Sequence, residues 1–255
     1  MLVSVLASGS KGNSTYIKTT TTEILIDAGT NIKYLNEKLH ENNTDLENIK
    51  YILITHTHSD HISSIKSIIS KYTPTIILTI PMLEDMPYLK TYENIKILED
   101  DMYLEDIFVE NIKTSHDTTD SRGYIINDGE NSVVQITDTG YLNQKYFKKL
   151  TNKSIYIFES NHNADMLING KYPPWLKRRV ASDVGHLSNE SSSFYLSKLI
   201  GENTKEIILA HLSEENNNPE IALATLKEEF LNHEIDFTNI IAAKQNEISG
   251  TIELW

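Results

Sequence analysis

The stretch Tyr51-Ile-Leu-Ile-Thr-His-Thr-His-Ser-Asp-His61-Ile narrows what this chain can fold into more than any other. Tyr51 to Ile54 is short, apolar and β-branched, and reads as a buried strand. Directly after it stand His56, His58, Asp60 and His61, three imidazoles and a carboxylate within six residues. At the end of a buried strand such a cluster is tolerable only with metal or strong hydrogen bonds around it. Alternate residues of an extended stretch share a face, so His56 and His58 can point at one ion. A turn through Ser59 then presents Asp60 and His61 to a second. Imidazole with carboxylate suits zinc, manganese or iron, and an adjacent pair of such ions is hydrolytic machinery. The plain alternative is a histidine-rich turn or an adventitious nickel-binding patch.

Composition bounds the chemistry. With no cysteine, disulfides, thiolate metal sites and a cysteine nucleophile are excluded, so every metal ligand must be His, Asp, Glu or solvent. At 255 residues, 39% hydrophobic and 23% charged, the chain has an ordinary globular composition and enough length for a real core. No repeat or linker interrupts it, and residues 1–255 read as one domain. The opening Met-Leu-Val-Ser-Val-Leu-Ala lacks a basic region and is too short for a signal segment. No run approaches the length of a membrane span, so the expectation is a cytoplasmic protein with no membrane partner. A formal net charge of −13 argues against a nucleic-acid partner, but its distribution matters more. Residues 144–180 hold eight bases and two acids, so the acidic average hides one basic region.

Short strands rich in Val, Ile and Thr are expected at Leu2 to Leu6, Ser14 to Lys18 and Glu23 to Asp27. Between the first two, Ser8-Gly-Ser-Lys-Gly-Asn-Ser14 reads equally as a phosphate cradle, with Ser10 and Asn13 as substrate contacts, or as a tight turn. Helices are expected from Asn31 to His40 and from Ile62 to Ile69, the latter with Ile62, Ile65, Ile68 and Ile69 on one face. Thr75 to Thr79 returns as a strand, and Pro81 can begin a helix. The acidic residues Glu99, Asp100, Asp101, Glu105, Asp106 and Glu110 read as solvated hairpin surface, with Ile107 to Ile112 strand-like. Ser121 to Ile126 and Ser132 to Thr137 flank Asn127-Asp-Gly129, a hairpin signal. Ile155 to Glu159 and Glu206 to Ala210 are expected strands. Asn189 to Ile200 and Pro219 to Leu231 are expected helices. Ile240 to Ala243 and Thr251 to Leu254 would be closing strands. His40 and His233 read as solvated.

His-x-His-x-Asp-His after a hydrophobic strand resembles the signature of the metallo-β-lactamase fold superfamily. The resemblance implies an α/β fold, a four-layer αββα sandwich, with a dinuclear site at the edge of its two sheets. Leu25-Ile-Asp-Ala-Gly29 is similar to the family's second-strand motif, in which Asp27 braces the metal-binding loop. Lys113-Thr-Ser-His-Asp117 resembles its third metal motif, making His116 a ligand. Thr137-Asp-Thr-Gly-Tyr141 resembles the bridging motif; a carboxylate can bind two cations at once, which suits Asp138. Ala210-His-Leu-Ser213 resembles the last ligand motif of the nuclease branch, which includes ribonuclease Z. Gly185-His-Leu-Ser188 resembles that branch's second histidine motif, with Glu159 as the paired glutamate. The 73 positions from Asp138 to His211 leave no room for the inserted domain of ribonuclease J-like proteins, and nothing resembles ribonuclease Z's tRNA-clamping arm. Nearly the whole chain is similar to the WalJ/YycJ-type group of small cytosolic nucleases. The similarity runs through Ala7-Ser-Gly-Ser-Lys-Gly-Asn13, Glu159-Ser-Asn-His162, Tyr172-Pro173, Gly185-His-Leu-Ser-Asn189 and His211-Leu-Ser-Glu-Glu-Asn-Asn217. That group is associated with 5′ exonuclease activity on DNA.

The resemblance assigns His56, His58 and His116 to one ion, Asp60, His61 and His211 to the other, and Asp138 to both. The expected cofactors are thus two divalent metal ions, Zn²⁺, Mn²⁺ or Fe²⁺. Asp60 would also orient the nucleophile, and His186, paired with Glu159, would protonate the leaving 3′ oxygen. His162 either contacts a phosphate or hydrogen-bonds behind the site. Lys177, Arg178 and Arg179 are expected on DNA phosphates, with Tyr172 or Trp175 stacking on a terminal base; the alternative is a solvated helix face with Trp175 in the core. The expected function is a dinuclear metal-dependent phosphodiesterase, a 5′ exonuclease on DNA, with RNA left open. The alternatives are a small-molecule phosphodiesterase or thioester hydrolase of the same fold, and a non-catalytic metal-binding regulatory module.

Overall fold

The computed structural model describes residues 1–254. Two seven-stranded sheets are filled almost in chain order. The first takes β1 (Leu2–Ala7), β2 (Ser14–Lys18), β3 (Glu23–Ile26), β4 (Tyr51–Leu53), β5 (Thr75–Leu78) and β6 (Ile95–Ile97). The second takes β7 (Met102–Leu104), β8 (Ile107–Lys113), β9 (Arg122–Asn127), β10 (Ser132–Ile136), β11 (Ile155–Glu159), β12 (Glu206–Ala210) and β13 (Ile240–Ala242). The last strand, β14 (Ser249–Glu253), leaves this order and pairs antiparallel with β1.

Strands apolar on both faces dictate the layering, because each face needs a cover. Ile24 and Ile26, with Val3, Val5 and Ile77, face Val109, Tyr124, Ile126, Ile155 and Ile157 of the other sheet. The alternate positions Leu25, Ile52, Ile76 and Leu78 face outward. There they meet Leu35 and Leu39 of α1 (Ile32–Glu41), and Ile65 and Ile68 of α3 (Ile65–Ile69), which follows the short α2 (Ser59–Ile62). Met82 of α4 (Ile80–Asp85) completes that layer. On the second sheet the outward Tyr156, Phe158, Ile207 and Leu209 are covered by Leu150 of α5 (Phe147–Leu150) and by two longer helices. Two short helices, α6 (Ala164–Asn169) and α7 (Pro174–Val180), come before those: α8 (Asn189–Leu199), through Leu196 and Leu199, and α9 (Pro219–Asn232), through Leu226 and Phe230. The result is the four-layer αββα sandwich. Among the described residues, no helix is long and apolar enough to cross a membrane.

Strands β3 to β6 are mutually parallel, as are β10 to β13, and antiparallel partners give β1 and β8 the same direction as β3 and β10. The segments leaving β1, β3, β4, β8, β10, β11 and β12 therefore emerge along one rim. That is where ligands bind in sheets of this kind.

Two expectations are corrected. The helix expected from Ile62 to Ile69 is broken at Ser63 and Ser64. The Ser63 hydroxyl donates to the Gly29 carbonyl at 2.6 Å and the Ser64 amide to the Ala28 carbonyl at 3.0 Å. Tertiary bonds to the β3–α1 segment override helical continuity here. The acidic hairpin exists as β7 and β8, but Asp106 at its turn is not simply solvated. Its carboxylate accepts from the Thr19 hydroxyl at 2.8 Å, the Thr21 amide at 3.1 Å and the Thr22 hydroxyl. These bonds tie the β7–β8 turn to the β2–β3 turn of the other sheet.

Burial pushes the Asp106 carboxyl up, but the threonine hydrogen bonds outweigh it and hold its pKa at about 2. A carboxyl depressed on folding stabilises the native state above its ordinary pKa of about 3.9, and the contribution is lost as pH falls toward 2. Discounted for the site's partial exposure, the ionised form is worth about 1 kcal/mol. Asp106→Asn should therefore lower Tm at pH 7 by roughly 2–4 °C, and the gap should close between pH 4 and pH 2. A gap independent of pH would show that the charge is not what stabilises the turn.

Candidate metal centre

The seven sequence-predicted ligands converge on the rim. His56 and His58 follow β4, and Asp60 and His61 lie in α2, whose Ser59 start supplies the expected turn. His116 follows β8, Asp138 follows β10, and His211 follows β12. Ligand atoms lie within 4.8 Å of one another in the sets His56–His58–His116, Asp60–His61–His211 and His56–His61–Asp138. Asp138 stands between the groups: one oxygen is 3.3 Å from His61 Nε2, the other 3.7 Å from His116 Nε2 and 3.5 Å from His211 Nε2.

The rear nitrogen of each key ring is fixed. His61 Nδ1 donates to Asp27 at 2.7 Å, His116 Nδ1 to the Gly185 carbonyl at 3.1 Å and His211 Nδ1 to Glu159 at 3.1 Å. Such partners set the tautomer and turn Nε2 inward. Asp27 thus braces the ligand loop, taking in addition the Thr55 amide at 2.8 Å and hydroxyl at 2.7 Å. In front, His56 Nε2, His211 Nε2 and Asp138 Oδ2 are buried with no hydrogen-bond partner. Each unpaired buried group costs about 1–3 kcal/mol. Unpaired nitrogens on either side of an unpaired carboxylate oxygen are the pattern that divalent cations satisfy, and the all-nitrogen-and-oxygen donor set fits them.

Charge points the same way. Burial pushes the Asp138 carboxyl up, but the imidazoles of His211 and His61 hold it well below the carboxylate range. Burial pulls His61 down, yet Asp27 and Asp138 raise it to about 10. His211 behaves alike, drawn well above the ordinary histidine value by Asp138 and Asp60 against burial. His56 goes the other way, kept well below it by burial and by the neighbouring His61. The protein has buried carboxylates that demand positive charge at this point.

The backbone is strained to build the site. Asp27, Asp138 and His211, each at or just past a strand end, have φ of 61°, 56° and 57°. The left-handed region costs a non-glycine residue roughly 1–2 kcal/mol. Gly29 is needed for a different reason, close approach: a Cβ there would sit 1.5 Å from the Asp60 carbonyl oxygen. Gly29→Ala should displace Asp60 and His61 and cause clear loss of bound metal by elemental analysis. Full metal content in a folded variant would contradict this.

The Ser8–Ser14 loop is a tight turn closed by the Gly12 amide on the Gly9 carbonyl at 3.0 Å. Asn13, a candidate substrate contact, is buried; its oxygen accepts from the Gly9 amide at 2.8 Å and its Nδ2 lies 3.0 Å from His61 Nε2 and 3.2 Å from Asp60. It braces the ligand loop instead, whereas Ser10 stays exposed. Ser10, Tyr172, Leu176, Arg179, His186 and His211 line a cleft beside the centre. Arg179 grips Asp117 with bonds of 2.5 and 2.9 Å and so is not free. Lys177 and Arg178 do not line the cleft; Lys177 Nζ donates to the Ile168 carbonyl at 2.6 Å and Arg178 is exposed. Trp175 is 61% exposed, which removes the reading that placed it in the core. His162 is buried, 3.4 Å from the Asn161 side-chain oxygen, with its carbonyl accepting from the Asn189 amide at 2.8 Å.

Sequence reasoning missed how much depends on Glu159. Its Oε1 accepts from His186 Nδ1 at 2.7 Å as well as from His211, and its Oε2 from the Thr139 and Leu187 amides at 3.0 and 3.1 Å. Burial raises this carboxyl, but His186 and the hydrogen bonds hold it at about 2. Also missed were Asn161, whose amide holds the His211 carbonyl at 2.9 Å, and Ser8, which accepts the His211 amide at 2.7 Å. Their position in Glu159-Ser-Asn and beside Gly9 was the available signal.

Comparison with known proteins agrees with this architecture. The family model described as the metallo-beta-lactamase superfamily matches residues 7–211. Exodeoxyribonuclease WalJ of Streptococcus pneumoniae is 37% identical over 221 residues, covering 84% of this chain and 82% of the relative. Exodeoxyribonuclease YycJ of Bacillus anthracis is 35% identical over 219 residues, covering 84% and 83%. The crystal structure of the metallo-beta-lactamase fold protein YhfI from Bacillus subtilis shares the fold at a TM-score of 0.73 and 18% identity, covering 97% of this chain and 98% of that one. Human tRNase Z, short form, does so at 0.66 and 13%, covering 99% and 100%. The match runs from the end of β1 to the last histidine of the rim, and the chain belongs to the metallo-β-lactamase superfamily as a hydrolase dependent on divalent metal ions.

Proposed function

We propose that this protein is a dinuclear metal-dependent phosphodiesterase, a 5′ exonuclease acting on DNA. The observation that carries the reading is the Glu159–His186 pair, bonded at 2.7 Å and facing the cleft beside the ligand cluster. Hydrolysis of an activated ester does not need such a donor; expulsion of a sugar 3′ oxygen does. The relatives named exodeoxyribonuclease support DNA as the polymer.

His56, His58 and His116 would hold one ion, Asp60, His61 and His211 the other, with Asp138 shared, and Zn²⁺, Mn²⁺ and Fe²⁺ all suit these donors. When bound, the ions would lower the pKa of water toward neutrality and offset charge gathering on the phosphate oxygens. Asp60, partly open to solvent, orients the attacking water. His186 acts as the imidazolium: its Nδ1–H donates to the Glu159 carboxylate, and the other nitrogen gives its proton to the leaving oxygen, leaving the neutral Nδ1–H ring. Glu159 fixes the orientation of that ring. Ser10 and Tyr172 meet the terminal nucleotide at the rim, while Lys177, Arg178 and Trp175 on α7 meet DNA farther out. His162 supports the rim from behind, on its bonds to Asn161 and Asn189.

Chelation followed by metal add-back tests the reading, assayed on end-labelled 5′-phosphorylated duplex DNA beside RNA and bis-p-nitrophenyl phosphate. Activity on DNA that is lost to chelator and restored by metal, releasing label from the 5′ end, is expected. Restored cleavage of the small diester with none of DNA would favour a small-molecule phosphodiesterase.

A further inference from the structure

A second concavity opens beside the centre and shares no lining residue with the cleft. Its volume is about 210 Å³, and its walls come from the end of β8 and the segment after β10: Lys113, Ser115, Tyr141, Asn143, Lys145 and Tyr146. Ser115 directly precedes His116, and Tyr141 lies three residues beyond Asp138. The two walls are laced together, the Gly140 amide donating to the Ser115 carbonyl at 2.9 Å and the Ser115 amide to the Thr139 hydroxyl at 3.0 Å. The floor is thus the backbone that carries two candidate ligands.

The pocket carries two exposed ammonium groups. Lys145 is exposed, forms no ion pair among the described residues, and holds its ammonium 4.8 Å from the Tyr146 ring centre. The Lys113 side chain is 63% exposed and makes one long contact, 3.7 Å to Asp120 Oδ1, while Arg122 binds the other Asp120 oxygen at 3.0 Å. In a chain with 36 acids and 23 bases, two such ammonium groups on one polar pocket call for an anion. Asn143 uses its oxygen on the Lys145 amide at 3.1 Å, which leaves its NH₂ as a further donor. Tyr141 is 42% exposed and offers a ring face. Paired cations beside an open aromatic ring match a phosphate with its attached base.

Resting on the DNA phosphodiesterase reading, we infer that this pocket is a nucleotide subsite of the substrate strand. Lys113 and Lys145 hold a backbone phosphate neighbouring the scissile one, and Tyr141 stacks on the adjoining base. The test uses the metal-loaded enzyme and a 5′-phosphorylated oligonucleotide with cleavage-resistant phosphorothioate linkages, titrated over a salt series. Lys113→Ala combined with Lys145→Ala should raise Kd on the order of tenfold and reduce the slope of log affinity against log salt by about 1.5. Tyr141→Ala should weaken binding without altering the slope. Hydrolysis of bis-p-nitrophenyl phosphate, which does not reach the pocket, should be unchanged in both.

An unaltered slope in the double variant overturns the subsite, whether or not Kd rises, since the lysines would then not be meeting phosphate. Loss of bis-p-nitrophenyl phosphate hydrolysis in the double variant also overturns it, because the effect would lie in the centre. A mononucleotide whose affinity falls in the double variant, with the oligonucleotide's unchanged, makes the pocket a product site and overturns it too. If the wild type, metal-loaded, cleaves neither DNA nor the small diester, the underlying reading fails instead.

Discussion

His186→Ala should lower turnover on DNA by roughly 10²–10⁴ while leaving bound metal unchanged. Its Nδ1 is held by Glu159 at 2.7 Å, and the ring is not among the seven ligands, so its loss removes a proton donor and little else. On bis-p-nitrophenyl phosphate the leaving p-nitrophenolate hardly needs protonation, and the rate should fall much less. Glu159→Gln makes the sharper companion, because Glu159 also accepts from His211 Nδ1 at 3.1 Å. That variant should impair both substrates and weaken metal retention. Equal losses on both substrates in His186→Ala would remove His186 from the donor role.

Asp138→Ala should strip at least one ion from the protein, with activity on every substrate falling together. Asp138 has a buried oxygen without a hydrogen-bond partner and sits between two groups of imidazoles. Its φ of 56° complicates an alanine variant, since alanine tolerates the left-handed region less well. Asp138→Asn keeps a residue suited to that backbone and removes the charge alone. Metal loss shared by both variants, measured by elemental analysis against a retained thermal transition, would place the carboxylate on the ions. Wild-type occupancy in the folded alanine variant would take it off them.

The parts of this site that could be read in advance are those whose neighbours in space are neighbours in sequence. His56 to His61 declare themselves because four polar side chains follow a buried strand. His116, Asp138 and His211 are isolated in sequence, and only their strand-end motifs, through family resemblance, mark them. Resemblance could not tell what each residue touches. Asn13 reads as a phosphate contact in its loop, yet its partner Asp60 lies 47 positions away. Arg179 counts toward a basic region until Asp117, 62 positions distant, is seen to occupy it. Periodicity likewise runs a helix through Ile62 to Ile69, because the bonds from Ser63 and Ser64 to the β3–α1 segment leave no trace in the spacing of isoleucines.

The pairing of β14 with β1 sets the timetable on which this molecule can be made. Leu2 meets Glu253 and Ser4 meets Thr251, so that edge of the first sheet waits for the last part of the chain described. At translation speeds of roughly 5–20 residues per second, the delay is on the order of 10–50 s. Throughout it, β1 offers an open row of amides and carbonyls flanked by apolar side chains, the arrangement most prone to pairing with another nascent chain. Loop closure across almost the whole length also adds an entropic cost to this pairing on refolding from denaturant. The centre is exposed to that delay as well, since Ser8, which follows β1, holds the His211 amide at 2.7 Å. Competence to bind metal should therefore appear only once His211 has docked against Ser8.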